Sequence, residues 1–159
     1  MSSRLQVSAA TLPHSSYKDM LTYRVLVLSN TLGKGAMRFY GEALSVTLAE
    51  WRLITALARN GPITVNALSV EMSTDKGAIS RTAASLVKKG YVRTRAVQDD
   101  ARKVLLDLSS AGRSVYGDTI PLAWQRHESL VSVLTLEERT VLDRALAKLQ
   151  ERATELLGE

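Results

Sequence analysis

Residues 63–108 read ITVNALSVEMSTDKGAISRTAASLVKKGYVRTRAVQDDARKVLLDL, and this stretch decides the fold. It divides into a short helix, a tight turn, a basic helix and two β-branched segments separated by a polar break. Within it, segment 76–103 holds eight Lys and Arg residues and two Asp residues, a net charge of +6, whereas the whole chain of 159 residues carries +5. Positive charge is therefore concentrated here, which is typical of a surface that meets a polyanion.

The basic helix is predicted over about residues 75–89, beginning at Ser73 or Thr74. Helical spacing places one apolar face inward, made of Ile79, Ala83, Leu86 and Val87. The opposite face presents Thr74, Gly77, Arg81, Ala84, Ser85 and Lys88. Small residues beside an arginine suit a helix pressed into a groove. Gly77 costs the helix about 1 kcal/mol relative to Ala, which favours a close backbone approach to phosphate. The alternative is an amphipathic helix with a solvated polar face.

The segments on either side of this helix complete one structural unit, which we call the reading head. Thr64 is expected to cap the short preceding helix, with Val65, Leu68 and Met72 inward. After Gly90, segments 91–97 and 104–108 are predicted strands of a hairpin, with residues 98–102 as its polar tip. An ion pair with Asp100 is expected to hold Arg102 for entry into a minor groove. The alternative is a solvated salt bridge worth less than about 1 kcal/mol. The arrangement predicts a winged helix-turn-helix.

Capping boxes mark two further helices. Thr47 and Glu50 form one box, and the helix that follows is expected to bury Trp51, Ile54, Leu57 and Ala58 before ending at 60–62, Asn-Gly-Pro. Thr135 and Glu138 form the second box. Between them, Pro121 is expected to kink or break a helix that begins near Gly112, because proline lacks the amide donor.

Two long amphipathic helices flank the reading head. The first, from Tyr17 to about Tyr40, carries a stripe of Leu21, Val25, Leu28 and Leu32. It is either an ordinary core helix or a dimerisation helix. The last helix carries a nearly heptad stripe of Leu142, Ala145, Leu149, Ala153 and Leu156. Such a helix needs a partner surface, and pairing with the first helix, in the same and a second subunit, satisfies both stripes.

Composition excludes several classes of protein. The chain has no cysteine and two histidines, so thiol chemistry is excluded and a structural zinc site is not expected. No cofactor or metal is predicted, and the absence of a phosphate-binding glycine loop argues against an enzyme. No apolar run approaches the roughly 20 residues of a membrane span. Residues 1–16 resemble a flexible arm rather than a secretory signal, so we expect a cytoplasmic protein.

The chain resembles the MarR family of bacterial transcription regulators from residue 17 to about 157. Five segments carry the resemblance, in order: LAEWRLITAL at 48–57, GPITVNAL at 61–68, KGAISRTAASLVKKG at 76–90, the wing's Asp-x-Arg at 100–102 and LSSAG at 108–112. Ser109 stands where the family usually has Thr, and Pro121 interrupts the fifth helix. These departures concern the fifth helix and leave the reading head unchanged.

The resemblance implies a homodimer whose first, fifth and sixth helices interlock, with Leu21, Leu28, Leu142, Leu149 and Leu156 at the interface. Recognition helices would enter successive major grooves and wings the flanking minor grooves, on an inverted repeat with half-sites about 34 to 36 Å apart. Carried over by position, and joined by the basic and polar residues around them, the predicted DNA-binding residues are Thr74, Lys76, Gly77, Ser80, Arg81, Ser85, Lys88, Arg95, Asp100, Arg102 and Lys103.

The resemblance also implies a repressor released by a small aromatic or phenolic acid bound between platform and reading head. In this chain the residues expected to line such a site are Tyr23, Arg38, Tyr40, Trp51 and Arg52. An alternative for Trp51 is an ordinary core position. The predicted organisation is an arm over 1–16, a dimerisation helix over 17–44, the winged helix-turn-helix over 45–110 and dimerisation helices over 111–159. The alternative function is an architectural or protein-interaction winged helix without a ligand response.

Overall fold

The computed structural model describes residues 16–44, 46–97 and 100–158, and the side chains of 40–44, 97 and 100–103 lie outside that description. A short 3-10 turn at Tyr17–Asp19 precedes the first helix. The helices are α1 Leu21–Leu44, α2 Leu48–Asn60, α3 Val65–Glu71, α4 Lys76–Lys88, α5 Ser110–Val131 and α6 Leu136–Gly158. The strands are β1 Ile63–Thr64, β2 Val92–Val97 and β3 Asp100–Leu108. The fold is mainly α with a small β wing, as predicted.

Helix α2 forms the centre of the core. Its amphipathic sequence provides an apolar face, and local signals set both of its ends. The capping box of Thr47 and Glu50 is present, and the helix ends where Gly61 adopts a φ of +68°. Leu53, Ile54 and Leu57 are fully buried. The other wall of this core comes from α3, α4 and the sheet, through Leu68, Ile79, Leu86, Leu106 and Leu108. The predicted box and core face are confirmed, although Ala58 is half-buried.

The turn between α3 and α4 differs from the prediction at one residue. Thr64 caps α3, as expected, by accepting from the amide of Ala67. The cap of α4, however, is Asp75, whose carboxylate accepts from the amide of Ala78 at 2.9 Å. Ser73 has a φ of +47°, and the Thr74 hydroxyl donates back to the Met72 carbonyl. The prediction of Ser73 or Thr74 as the start was therefore wrong, because both are used in the turn itself.

The buried face of α4 is narrower than predicted. Ile79, Ala83 and Leu86 are buried, but Val87 is 40% exposed. At about 100° per residue, Val87 lies roughly 80° around the helix from Ile79, on the far side from Leu86. It falls at the edge of the face that meets α2 and the sheet.

The sheet has the order β1-β3-β2 and is antiparallel. The two-residue β1 was not predicted, since Ile63 and Thr64 are too few to show an alternating pattern. The wing is a longer ribbon with a shorter tip than predicted, because β3 begins at Asp100 rather than Val104 and Val97 pairs with Asp100. The backbone of 100–103 therefore belongs to β3. A register shift lies between Ala96 and Val97.

Helix α5 runs through Pro121 as one element, so the predicted break is wrong. Losing one intrahelical bond costs about 3 kcal/mol in a helix interior. Contacts on both sides of the proline offset this cost, because Tyr116 before it and Ala123 after it both pack against the core. Thr119 is fully buried and its hydroxyl donates to the Val115 carbonyl at 2.6 Å.

The start of α5 is fastened to the end of the reading head. Ser109 donates from its amide to the Tyr91 carbonyl at 3.0 Å and from its hydroxyl to the Gly90 carbonyl at 2.6 Å. The same hydroxyl accepts from the Gly112 amide and caps α5. A Cβ at Gly112 would lie 2.1 Å from the Tyr91 carbonyl oxygen. Glycine is therefore required for this approach.

The two outer helices leave apolar surface uncovered. Helix α1 begins at Leu21, later than the predicted Tyr17, because Met20 adopts an extended conformation after the 3-10 turn. The predicted capping box of Thr135 and Glu138 is confirmed at the start of α6. No residue of α6 is buried within the described chain. The five predicted dimerisation residues are all 45% to 55% exposed: Leu21, Leu28, Leu142, Leu149 and Leu156. None of the described helices is both long and apolar enough to cross a membrane.

Candidate nucleic-acid interface

The exposed side of α4 carries cations that have no ion-pair partner in the part of the chain that the structure describes. Lys76, Arg81 and Lys88 are exposed, and within the described part of the chain no ion pair involves them. Ser80 lies exposed beside them. Arg95 on β2 is also exposed and unpaired among the described residues. These four charges are available to phosphate.

The first turn of α4 is shaped around Arg81. A Cβ at Gly77 would lie 3.0 Å from a carboxylate oxygen of Asp75 and 3.3 Å from Nη1 of Arg81. The glycine therefore leaves room for the guanidinium to lie back along the helix towards its cap. The sequence suggested a close approach to phosphate at this position, and the structure adds an internal reason for the missing side chain.

A buried carboxylate holds the other end of α4. Glu50 is 3% exposed and accepts from the Thr47 amide, the Ser85 hydroxyl and the Lys89 ammonium, each at 2.7 Å. Burial acts to raise the pKa of Glu50, but the hydrogen bonds from Lys89, Thr47 and Ser85 outweigh it and bring the pKa below 4.5. The hydroxyl of Ser85, predicted to face DNA, is thus engaged with α2.

A second buried carboxylate holds the base of the wing. Asp107 is 2% exposed and accepts from Arg93 on β2 and from Arg113 on α5. The shortest contact joins Arg93 Nη2 to Asp107 Oδ2 at 2.5 Å. Burial acts to raise the pKa of Asp107, yet the hydrogen bonds and positive charges of the two arginines bring it below 3.8. The wing strands are thereby tied to the platform.

These two pairs reduce the positive field that the sequence suggested. Of the eight basic residues in segment 76–103, Lys89 and Arg93 form ion pairs with buried carboxylates. Sequence reasoning missed both pairs, since Glu50 was read only as a helix cap and Asp107 was not singled out. The side chains of the predicted wing residues Asp100, Arg102 and Lys103 lie outside the described residues.

Comparison with known proteins matches this arrangement to one family. The sequence profile of the MarR family matches residues 44–103, which contain α2, the helix-turn-helix and most of the wing. The multiple antibiotic resistance protein MarR of Escherichia coli is 28% identical over 126 residues, covering 79% of this chain and 88% of that protein. A MarR/EmrR family transcriptional regulator from Acinetobacter superposes with a TM-score of 0.80 at 25% identity, covering 84% of this chain and 94% of that one.

In sequence and in fold, the chain is similar to the MarR family. A solved structure of an Escherichia coli MarR mutant in complex with operator DNA is similar to it, with a TM-score of 0.75 and 26% identity, over 85% of this chain and 99% of that one. The chain is a DNA-binding transcription regulator and not an enzyme. This similarity to a DNA complex supports double-stranded DNA as the partner of the chain.

The predicted effector residues of this chain are not gathered at one place. Trp51 is 5% exposed and stacks on Tyr116 with ring centroids 6.1 Å apart, so it is a core residue rather than a pocket wall. Tyr23 contacts Tyr17 edge to face at 5.0 Å. Arg38 is exposed, and the side chain of Tyr40 lies outside the described residues.

Arg52 is the predicted effector residue that borders cavities. It lines a space of about 690 Å³ between α1 and α2, and two smaller spaces of about 380 and 310 Å³ beside α2. Met72 and Thr74 line both smaller spaces. The largest space lies against α1, whereas the two smaller ones lie between α2 and the turn before α4, the predicted recognition helix.

Proposed function

We propose that the protein is a repressor that binds an inverted-repeat operator as a homodimer and is released by a small aromatic or phenolic acid. The observation that carries the DNA part is the division of the cations around α4. Lys89 and Arg93 pair with buried carboxylates, whereas Lys76, Arg81, Lys88 and Arg95 are exposed without partners among the described residues. Four unpaired positive charges lie beside a helix of a size that fits the major groove. Such a surface can contact both phosphates and base edges.

The homodimer part rests on uncovered apolar surface at both ends of the chain. The predicted interface residues on α1 and α6 are exposed, and the described part of α6 buries none of its own residues. A two-fold axis through residues 17–44 and 111–159 would place two copies of the 45–110 reading head about 34 to 36 Å apart. Recognition helices then lie in successive major grooves, with each wing at the neighbouring minor groove.

The effector part of the proposal centres on Arg52. Its guanidinium suits a carboxylate, and the space of about 690 Å³ that it lines lies between α1 of the predicted platform and α2 of the reading head. A ligand there would contact both α1 of the platform and α2 of the reading head. It would therefore change their relative position, and with it the spacing between two heads.

The test is a titration of random and genomic duplexes at several salt concentrations. Specific binding with a steep loss of affinity as salt rises supports the regulator. Equal affinity for all duplexes supports the alternative, an architectural winged helix, and no binding at low salt contradicts both. Addition of an aromatic acid such as salicylate should weaken specific binding in the original chain but not in Arg52→Gln.

Two arginine variants separate reading from phosphate contact. Arg81→Ala should weaken specific sites by about 1 to 3 kcal/mol if it contacts a guanine edge. Arg102→Ala should weaken all duplexes more evenly and reduce the salt slope by about 1. Arg144→Ala is the matched control, since Arg144 is exposed on α6 and should leave both quantities unchanged. Equal weakening of all duplexes by Arg81→Ala would mean that Arg81 contacts phosphate.

A further inference from the structure

The first turn of α4 brings a carboxylate close to the guanidinium that is proposed to read the operator. A Cβ at Gly77 would lie 3.0 Å from Oδ2 of Asp75 and 3.3 Å from Nη1 of Arg81. Both charged groups therefore lie within 3.3 Å of one point, and Gly77 has no side chain to separate them there. Both side chains are also exposed, so DNA at this surface would meet the two together.

Asp75 has an oxygen left for this guanidinium. Its Oδ2 accepts from the Ala78 amide at 2.9 Å and caps α4. Among the described residues, Asp75 makes no other hydrogen bond and no ion pair, and Arg81 makes neither. Because a carboxylate offers about four lone-pair sites on its two oxygens, Oδ1 can accept from Arg81 while Oδ2 keeps the cap. A rotation of the Arg81 side chain across Gly77 brings the two groups into contact.

A carboxylate beside an arginine decides which edge of the guanidinium faces outward. The group is a planar fork of N–H donors, and guanine is read when one edge of that fork meets its N7 and O6. An arginine held by another edge is oriented before DNA arrives, so less rotamer freedom is lost on binding. The negative charge of Asp75 also repels phosphate, which disfavours a position of Arg81 on the DNA backbone.

We propose that Asp75 is a positioning residue that directs Arg81 to a guanine edge in the major groove and so determines sequence preference. Because Arg81 is the proposed reader, this role of Asp75 depends on the proposed function. The carboxylate acts through the arginine, in addition to capping α4. It contributes to discrimination between duplexes and not to affinity for DNA in general, since its own charge repels phosphate.

The experiment measures affinity for two duplexes: the genomic duplex that the original chain binds most tightly, and a random duplex of equal length. Asp75→Asn removes the charge but keeps a residue that caps a helix as well as aspartate does, so α4 should fold unchanged. With its oxygen on the cap, the asparagine presents to Arg81 an amide nitrogen, which cannot accept. Asp75→Ser, which also caps, replaces Asp75→Asn if that variant does not fold. Asp143→Asn, at an exposed position on α6, is the matched control for net charge.

The ratio of genomic to random affinity should fall about tenfold in Asp75→Asn and stay unchanged in Asp143→Asn. Loss of a negative charge alone strengthens contacts with the phosphates of both duplexes alike, so the ratio cancels that effect. In the Arg81→Ala background, Asp75→Asn should not change the ratio further, because the residue through which Asp75 acts is gone.

Two results would contradict this role of Asp75. An unchanged ratio in Asp75→Asn, when Arg81→Ala lowers it, would mean that the carboxylate only caps α4, and the reading role of Arg81 would stand. An equal fall with and without Arg81 would mean that Asp75 meets a base itself. If Arg81→Ala leaves the ratio unchanged, the reading role of Arg81 fails, and the role of Asp75 fails with it.

Discussion

Replacement of Glu50 should reveal how strongly the buried carboxylate fastens the recognition helix to α2. Glu50→Ala removes three contacts at once: the cap on the Thr47 amide, the bond from Ser85 and the bond from Lys89. Each of the first two is worth about 1 kcal/mol, and the third about as much, because a third of the Lys89 side chain remains in water. The free energy of unfolding should therefore fall by about 3 kcal/mol.

Glu50→Gln isolates the contribution of the charge. The amide can keep the geometry of all three contacts if the Ser85 hydroxyl reverses its role and accepts, so the loss should be about 1 kcal/mol near pH 7. The pKa of Glu50 lies below 4.5 in the folded chain, so the charge stabilises fully above that value. As the pH falls through the lowered pKa, the difference between the original chain and Glu50→Gln should close.

Urea unfolding at about pH 7 and about pH 3.5 measures both effects. Glu151→Gln, an exposed carboxylate on α6, is the control and should unfold like the original chain at both pH values. If Glu50→Gln equals the original chain near pH 7, or if the difference persists unchanged in acid, the buried network does not contribute as described. Such a result would mean that the charge of Glu50 does not stabilise the fold, whereas its capping contact with the Thr47 amide could still do so.

Three further variants test other parts of the fold by urea unfolding. Gly112→Ala should destabilise by about 3 kcal/mol because its Cβ would meet the Tyr91 carbonyl, whereas Gly117→Ala in the same helix meets nothing and should gain about 1 kcal/mol; equal effects would contradict the packing. Asp107→Asn should cost about 2 kcal/mol near pH 7, and this cost should shrink as the pH falls below 3.8; a constant cost would show that charge is not involved. Thr135→Ala should cost about 1 kcal/mol, and no change would mean that the cap of α6 is unimportant.

The parts of the fold that the sequence predicted well are those set by neighbours in the chain. Thr47, Thr64 and Thr135 each cap a helix through contacts three residues away, so their signals are complete within one turn. The same reasoning failed at Asp75, where several capping residues stand together. Which of them caps the helix is decided by the backbone of the turn, including the positive φ at Ser73.

Features that depend on distant residues were not predictable from local pattern. Glu50 and Lys89 are 39 positions apart, and nothing local distinguishes a lysine that pairs with its own protein from one that is free for DNA. The exposed position of Arg81 did follow from helical periodicity, because Arg81 lies opposite the buried Ile79 on α4. Pro121 was misread for a related reason, since packing on either side of it keeps α5 continuous.

The joint at Tyr91, Ser109 and Gly112 determines how motion can pass through the molecule. Carbonyls at the exit of the recognition helix are bonded to the first turn of α5, and no side chain separates the two backbones at Gly112. Because the two backbones are hydrogen-bonded and in close contact, we expect a tilt of α5 to turn the reading head with it. A change that tilts the first turn of α5 is therefore expected to rotate the DNA-facing helix.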